Sequence, residues 1–72
     1  MNIVGVNVKK IREKNDWTQE QLTAKCNLLE WNISRGTLAK IESKVRRVTD
    51  IEVKLLAKAL ETDIEKLFFN YY

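Results

Sequence analysis

Three stretches of this chain spell the start of a helix, and they constrain the fold class before anything else does. Thr18 with Gln21, and Thr49 with Glu52, form capping boxes. In a capping box the threonine oxygen accepts a backbone N–H that the first helical turn leaves without a partner. The third residue's side chain reaches back to the threonine N–H. Trp17/Leu22 and Val48/Val53 flank the two boxes at hydrophobic-staple spacing. Ser34 repeats half of this grammar, a good N-cap with Ile33/Leu38 as staple but Thr37 where glutamate would close the box.

Apolar periodicity fills in the helices. Val4, Val8 and Ile11 fall at i, i+4 and i+7, which predicts a first helix over Val4 to Lys14, ended by Asn15-Asp16. The second runs from Gln19 to Cys26, with Leu22 and Cys26 inward and Asn27 as C-cap. The third covers Arg35 to Ser43, with Leu38 and Ile41 inward, and the fourth covers Asp50 to Leu60. A short fifth starts near Asp63 and carries Ile64, Leu67 and Phe68, with Phe68 in the core. The expected architecture is all-α, a compact five-helix bundle in one domain over residues 1–72, its central helix pair at about 18–43 and an aromatic tail at 68–72. The absence of proline and the presence of only two glycines, Gly5 and Gly36, agree with helices rather than turn-rich sheets.

Residue counts then exclude several chemistries. With no histidine and a single cysteine, Cys26, the chain offers no intrachain disulfide, no Cys/His zinc site and no histidine-dependent nucleophile. Cys26 is most simply a small core residue. No nucleophile–base pair is visible, so no enzyme, cofactor or metal is expected. No apolar run reaches the ~20 residues of a membrane span, no signal-peptide core is evident, and the cysteine usage suits a reducing cytoplasm. No small-molecule ligand is implied.

The net charge of +3 conceals a concentrated basic centre. Residues 35–47 hold Arg35, Lys40, Lys44, Arg46 and Arg47 against Glu42 alone, while residues 48–72 are net acidic. That distribution is a polyanion footprint, and its bland counterpart is a solvated charged face. A capped helix, a turn and a second short helix rich in small and basic residues is also the pattern of a helix-turn-helix. A reader helix must fit a major groove about 12 Å wide with its outer face free of bulky apolar groups. Arg35, Gly36, Thr37, Lys40 and Ser43 meet that demand, lying away from Leu38 and Ile41.

Taken in order, KKIREKNDWTQEQLTAKC, ISRGTLAKIES, VTDIEVKLLAKAL and DIEKLFF resemble the Cro/phage-repressor-type (XRE, lambda repressor-like) helix-turn-helix domain from Val4 to Phe69. The resemblance implies a sequence-specific double-stranded DNA-binding regulator, a repressor, working in a bacterial or phage-infected cytoplasm as a homodimer at least on its operator. It places base reading at Arg35, Gly36, Thr37 and Lys40. Phosphate contacts fall at Gln19, Ser43, Lys44, Arg46 and Arg47, and Arg12 with Glu42 forms a structural ion pair. Two departures stand out. The usual turn is longer by about five residues, Leu28 to Asn32, and positions usually held by glycine at helix ends carry Asp16, Asn27 and Glu61.

Some residues keep two readings. Gly36 either admits a base edge or thymine methyl, or is merely tolerated near a helix start. Trp31 either packs the long turn onto the core, touches DNA or joins a dimer contact. Lys9, Lys10 and Lys14 read as a solvated face. Phe69, Tyr71 and Tyr72 are candidate dimer contacts. A second function class also stays open, a helical interaction module such as an antitoxin or adaptor that grips a partner protein.

Overall fold

A computed structural model describes residues 3–68. Four α-helices follow in chain order: α1 (Ile3–Lys14), α2 (Gln19–Leu28), α3 (Arg35–Glu42) and α4 (Asp50–Ala59). A 3-10 turn over Ile64–Leu67 completes the order, and no strand occurs among the described residues.

The helix starts lie where the capping grammar puts them. Thr18 Oγ1 accepts the Gln21 N–H at 3.1 Å, and Gln21 Oε1 accepts the Thr18 N–H at 2.7 Å. At α4 the same reciprocal pair joins Thr49 and Glu52 at 3.3 and 3.0 Å. Ser34 Oγ accepts the Thr37 N–H at 3.1 Å and caps α3 alone.

The five-helix expectation is corrected to four helices and a 3-10 turn. Asp63 makes no side-chain cap, and the segment is bonded at i to i+3 through Lys66 N–H to Asp63 C=O and Phe68 N–H to Glu65 C=O. An isolated four-residue run cannot complete the costly nucleus of an α-helix. The tighter winding sends Leu67 into the core and leaves Phe68 46% exposed, so Phe68 is not the core residue expected.

All four helices end alike. Asp16, Glu30, Lys44 and Glu61 take positive φ of 59°, 65°, 70° and 57°. Each donates its N–H to the carbonyl three residues back, and the next N–H reaches five back, as in Asp16 to Glu13 and Trp17 to Arg12. These are Schellman endings, which satisfy carbonyls that a helix terminus strands. None of the four left-handed positions holds glycine or asparagine. The expected C-cap at Asn27 is therefore displaced. The helix runs on to Leu28, and the Asn27 amide instead donates to the carbonyls of Trp31 (2.9 Å) and Ile33 (3.3 Å). The long turn is thus ordered by its own hydrogen bonds, and Trp31 packs half-buried against the core.

That core joins Val8 and Ile11 of α1, Leu22 and Cys26 of α2, Leu38 of α3, and Leu56 of α4 to Leu67. Burying each such side chain contributes roughly 1.5–3 kcal/mol. Asn7, fully buried on the inner face of α1, donates its Nδ2 to the Leu67 carbonyl at 2.9 Å and ties α1 to the 3-10 turn. Burial pushes the Cys26 thiol up to about 11, so it stays protonated as a small apolar filler.

Candidate nucleic-acid interface

α3 has two chemically distinct sides. Leu38 and Ile41 are fully buried, and Glu42 lies beside them. At 100° per residue Gly36, Ala39, Lys40 and Ser43 gather on the opposite side. Gly36, Lys40 and Ser43 are exposed, and Ala39, which the sequence reading passed over, is half-buried. Except for Lys40 these side chains are small, so the helix surface is nearly flat there. Among the described residues nothing demands the glycine: a Cβ at Gly36 would meet only Ser34 Oγ at 3.7 Å, an ordinary contact.

Thr37 belongs to the cap as much as to that face. It is half-buried, and its hydroxyl lies 3.1 Å from Ser34 Oγ. Ser43 sits at the C-cap, its hydroxyl donating to the Lys40 carbonyl at 3.3 Å.

Behind α3 runs a chain of charge-assisted hydrogen bonds. Arg12 meets Glu42 with two parallel bonds, Nε to Oε2 at 2.8 Å and NH2 to Oε1 at 3.0 Å. Its NH1 donates to the Trp17 carbonyl at 2.7 Å, just ahead of the α2 cap. Hydrogen bonding to Glu42 raises the Arg12 pKa further above its ordinary value, against the opposing effect of burial. Gln19 Nε2 also donates to Glu42 Oε1, at 3.0 Å. That bond fixes the orientation of the Gln19 amide, so its oxygen turns outward and accepts Arg35 NH1 at 3.2 Å. Helices α1, α2 and α3 thereby meet in one network, and the exposed Arg35 guanidinium is its outer end. The amide orientation and this coupling were not legible from Gln19's position alone.

The α3–α4 loop continues the basic surface. Lys44 and Arg47 are exposed. Arg46 is committed within the chain: NH1 and NH2 lie 3.0 and 2.7 Å from the two oxygens of Glu52, and NH1 also donates to the Arg47 carbonyl at 3.0 Å. The Arg46 hydrogen bond is the largest reason that the Glu52 carboxyl lies below its ordinary value, and the same contact raises Arg46. Glu52 therefore serves the capping box and the ion pair at once.

Backbone bonds from Val45 and Arg46 to the Lys40 carbonyl set the loop directly against the end of α3. Arg35, Lys40, Lys44 and Arg47 are thus exposed cations on α3 and the loop that follows it, and Arg35 joins this segment to the α2 start through Gln19. Phe69, Tyr71 and Tyr72 lie outside the described residues. Among the described residues no acidic, cysteine or histidine group is arranged to hold a metal, and no helix is long and apolar enough to cross a membrane.

Comparison with curated proteins and with solved structures gave no match. A family model described as helix-turn-helix matches residues 8–67, which takes in the Arg12–Glu42 pair, both capped inner helices and the loop beyond them. The chain belongs to the XRE-family helix-turn-helix proteins of Cro/C1 type, a family of DNA-binding transcription regulators.

Proposed function

We propose that this protein is a sequence-specific repressor that seats α3 in the major groove of double-stranded DNA. The observation that carries the reading is the Arg12–Glu42–Gln19–Arg35 network, which holds an exposed arginine at the mouth of a flat helix face. Arg35 is suited to the bidentate pairing with guanine O6 and N7, worth ~1–3 kcal/mol of discrimination. Lys40 and Thr37 reach neighbouring base edges. Gly36 lets the helix backbone approach, since glycine serves no packing need among the described residues.

Phosphates are held by Gln19 at the α2 start, where free backbone N–H groups favour an anion, and by Ser43, Lys44, Arg46 and Arg47. Lys44 and Arg47 carry most of this attraction, because the charge of Arg46 is already offset by Glu52. One such unit covers few base pairs. A homodimer on two half-sites ~34 Å apart supplies the remaining selectivity, and occupancy of the operator excludes polymerase. The protein would act in the cytoplasm, at the nucleoid.

The test is selection of bound duplexes from a random library, followed by titration of the winner at several salt concentrations. A recovered palindrome bound far more tightly than random duplex is expected. Arg35→Ala should flatten the preference at one base step, and Arg47→Ala should weaken all sequences alike and reduce the salt slope by about one. Equal binding to selected and random duplexes defeats the proposal.

A further inference from the structure

We propose that the groove between α1, the α3–α4 loop and the 3-10 turn is the docking site of this chain's own aromatic segment, Phe69–Tyr72. The groove encloses about 600 Å³. Ile3, Val4, Val48 and Val53 are its buried and half-buried apolar members, Phe68 forms one wall, and exposed Lys44, Arg47 and Asp50 stand at its rim.

Chain continuity and aromatic content together name the occupant, since Ile3 also lines the groove but only Met1 and Asn2 precede it. Phe68 lines the groove, and the next four residues of the sequence are Phe-Asn-Tyr-Tyr. Fully extended they reach roughly 13 Å, which suffices to cross a groove of this volume. A segment tethered at the wall meets the groove at an effective concentration of order millimolar. A second copy of the chain would need a comparable concentration in solution to compete.

Val45 supplies an independent reason. It follows the left-handed residue of a Schellman ending, where an apolar side chain ordinarily packs back onto its helix. Trp17 and Trp31 hold the equivalent position after α1 and α2, and both pack half-buried against the core. Val45 is instead 76% exposed and lines the groove. The described residues leave Val45 uncovered, and the aromatic segment begins with the residue after Phe68, which lines the same groove. The rim chemistry also fits: cations such as Lys44 and Arg47 favour the faces of aromatic rings, and tyrosine buries its ring while keeping its hydroxyl in water.

The test uses the full chain. Proton NOEs are expected from the rings of Phe69, Tyr71 or Tyr72 to the methyls of Val45 and Val48, unchanged on dilution and absent from an isotope-filtered spectrum of mixed labelled and unlabelled chains. Val45→Ala should lower the thermal midpoint of the parent protein by a few degrees. It should leave unchanged the midpoint of a full-length variant carrying Phe69→Ser, Tyr71→Ser and Tyr72→Ser. Ring-to-methyl contacts only between chains, which would mark a second copy as the occupant, overturn the proposal. So do the absence of such contacts and equal Val45→Ala shifts in both backgrounds.

Discussion

Among the described residues two bidentate arginine–glutamate pairs occur, and they differ chiefly in depth. Arg12–Glu42 joins α1 to α3 with side chains 10% and 3% exposed, whereas Arg46–Glu52 joins the α3–α4 loop to α4 with side chains 35% and 13% exposed. Their shortest distances are nearly the same, 2.8 and 2.7 Å. Depth alone changes what each can do. Removing one partner of the buried pair strands a charge where water cannot reach it, so the pair acts as a rigid brace behind the reading helix. The outer pair can trade its partner for solvent or for phosphate, so it fixes a cap without anchoring the fold.

The largest expected effect breaks the inner pair. Glu42→Ala leaves the Arg12 guanidinium buried and without its carboxylate, which costs ~3–5 kcal/mol. For a chain this short that is most of the folding free energy. Urea titration followed by circular dichroism should show the loss. Replacing both partners together, Arg12→Leu with Glu42→Met, should recover most of it, because no orphaned charge remains. A double variant as unstable as Glu42→Ala would show that the bonds from Glu42 to Gln19 and from Arg12 to the Trp17 carbonyl matter more than the charge pair.

How far these features were readable follows from their locality. Helix starts are written in four adjacent residues, so Thr18, Ser34 and Thr49 announced themselves. Helix ends are marked unevenly: Asn15-Asp16 closes α1 where expected, with Asp16 at φ 59°, but the other three ends carry no favourable residue at the left-handed site. Those sites hold Glu30, Lys44 and Glu61, which carry no turn signal, while Asn27, which does, spends its amide on the turn beyond. The outward face of α3 was legible from its period. The fate of Arg46 was not, because its partner lies six residues on across a loop, at no helical spacing. The only available clue was that Glu52 already had to sit at the surface to close a capping box.

A second, smaller effect probes the outer pair through pH. The folded protein holds the Glu52 carboxyl below its ordinary value of 4.5, through the Arg46 hydrogen bond first and the Thr49 backbone N–H after it. The unfolded chain therefore binds the proton more readily. The stabilisation is fully present above that ordinary value and is lost as pH falls through the lower folded value. Glu52→Gln should remove this part of the acid-side slope and cost ~1 kcal/mol at neutral pH, since the amide oxygen can still accept the Thr49 N–H. Arg46→Ala should shrink the slope without abolishing it. Stability profiles of the three proteins between neutral and acid pH decide the matter, and an unchanged slope in Glu52→Gln would place the acid sensitivity elsewhere.

The smallest effect separates stability from binding along the same loop. A non-glycine residue at left-handed φ costs ~1–2 kcal/mol, partly offset because glycine loses more freedom on folding. Glu30→Gly and Lys44→Gly should each therefore gain only about 0.5 kcal/mol, seen as a rise of a few degrees in the thermal midpoint. The backbone problem they relieve is the same, with φ of 65° and 70° and the same pair of N–H bonds. Their effects on DNA should diverge. Glu30→Gly, in the turn between α2 and α3, should leave the salt dependence of binding unaltered, whereas Lys44→Gly should lower its slope by about one. Equal slopes for the two variants would mean that Lys44 occupies its strained position for some reason other than phosphate, and the outward cations of the loop would then reduce to Arg47.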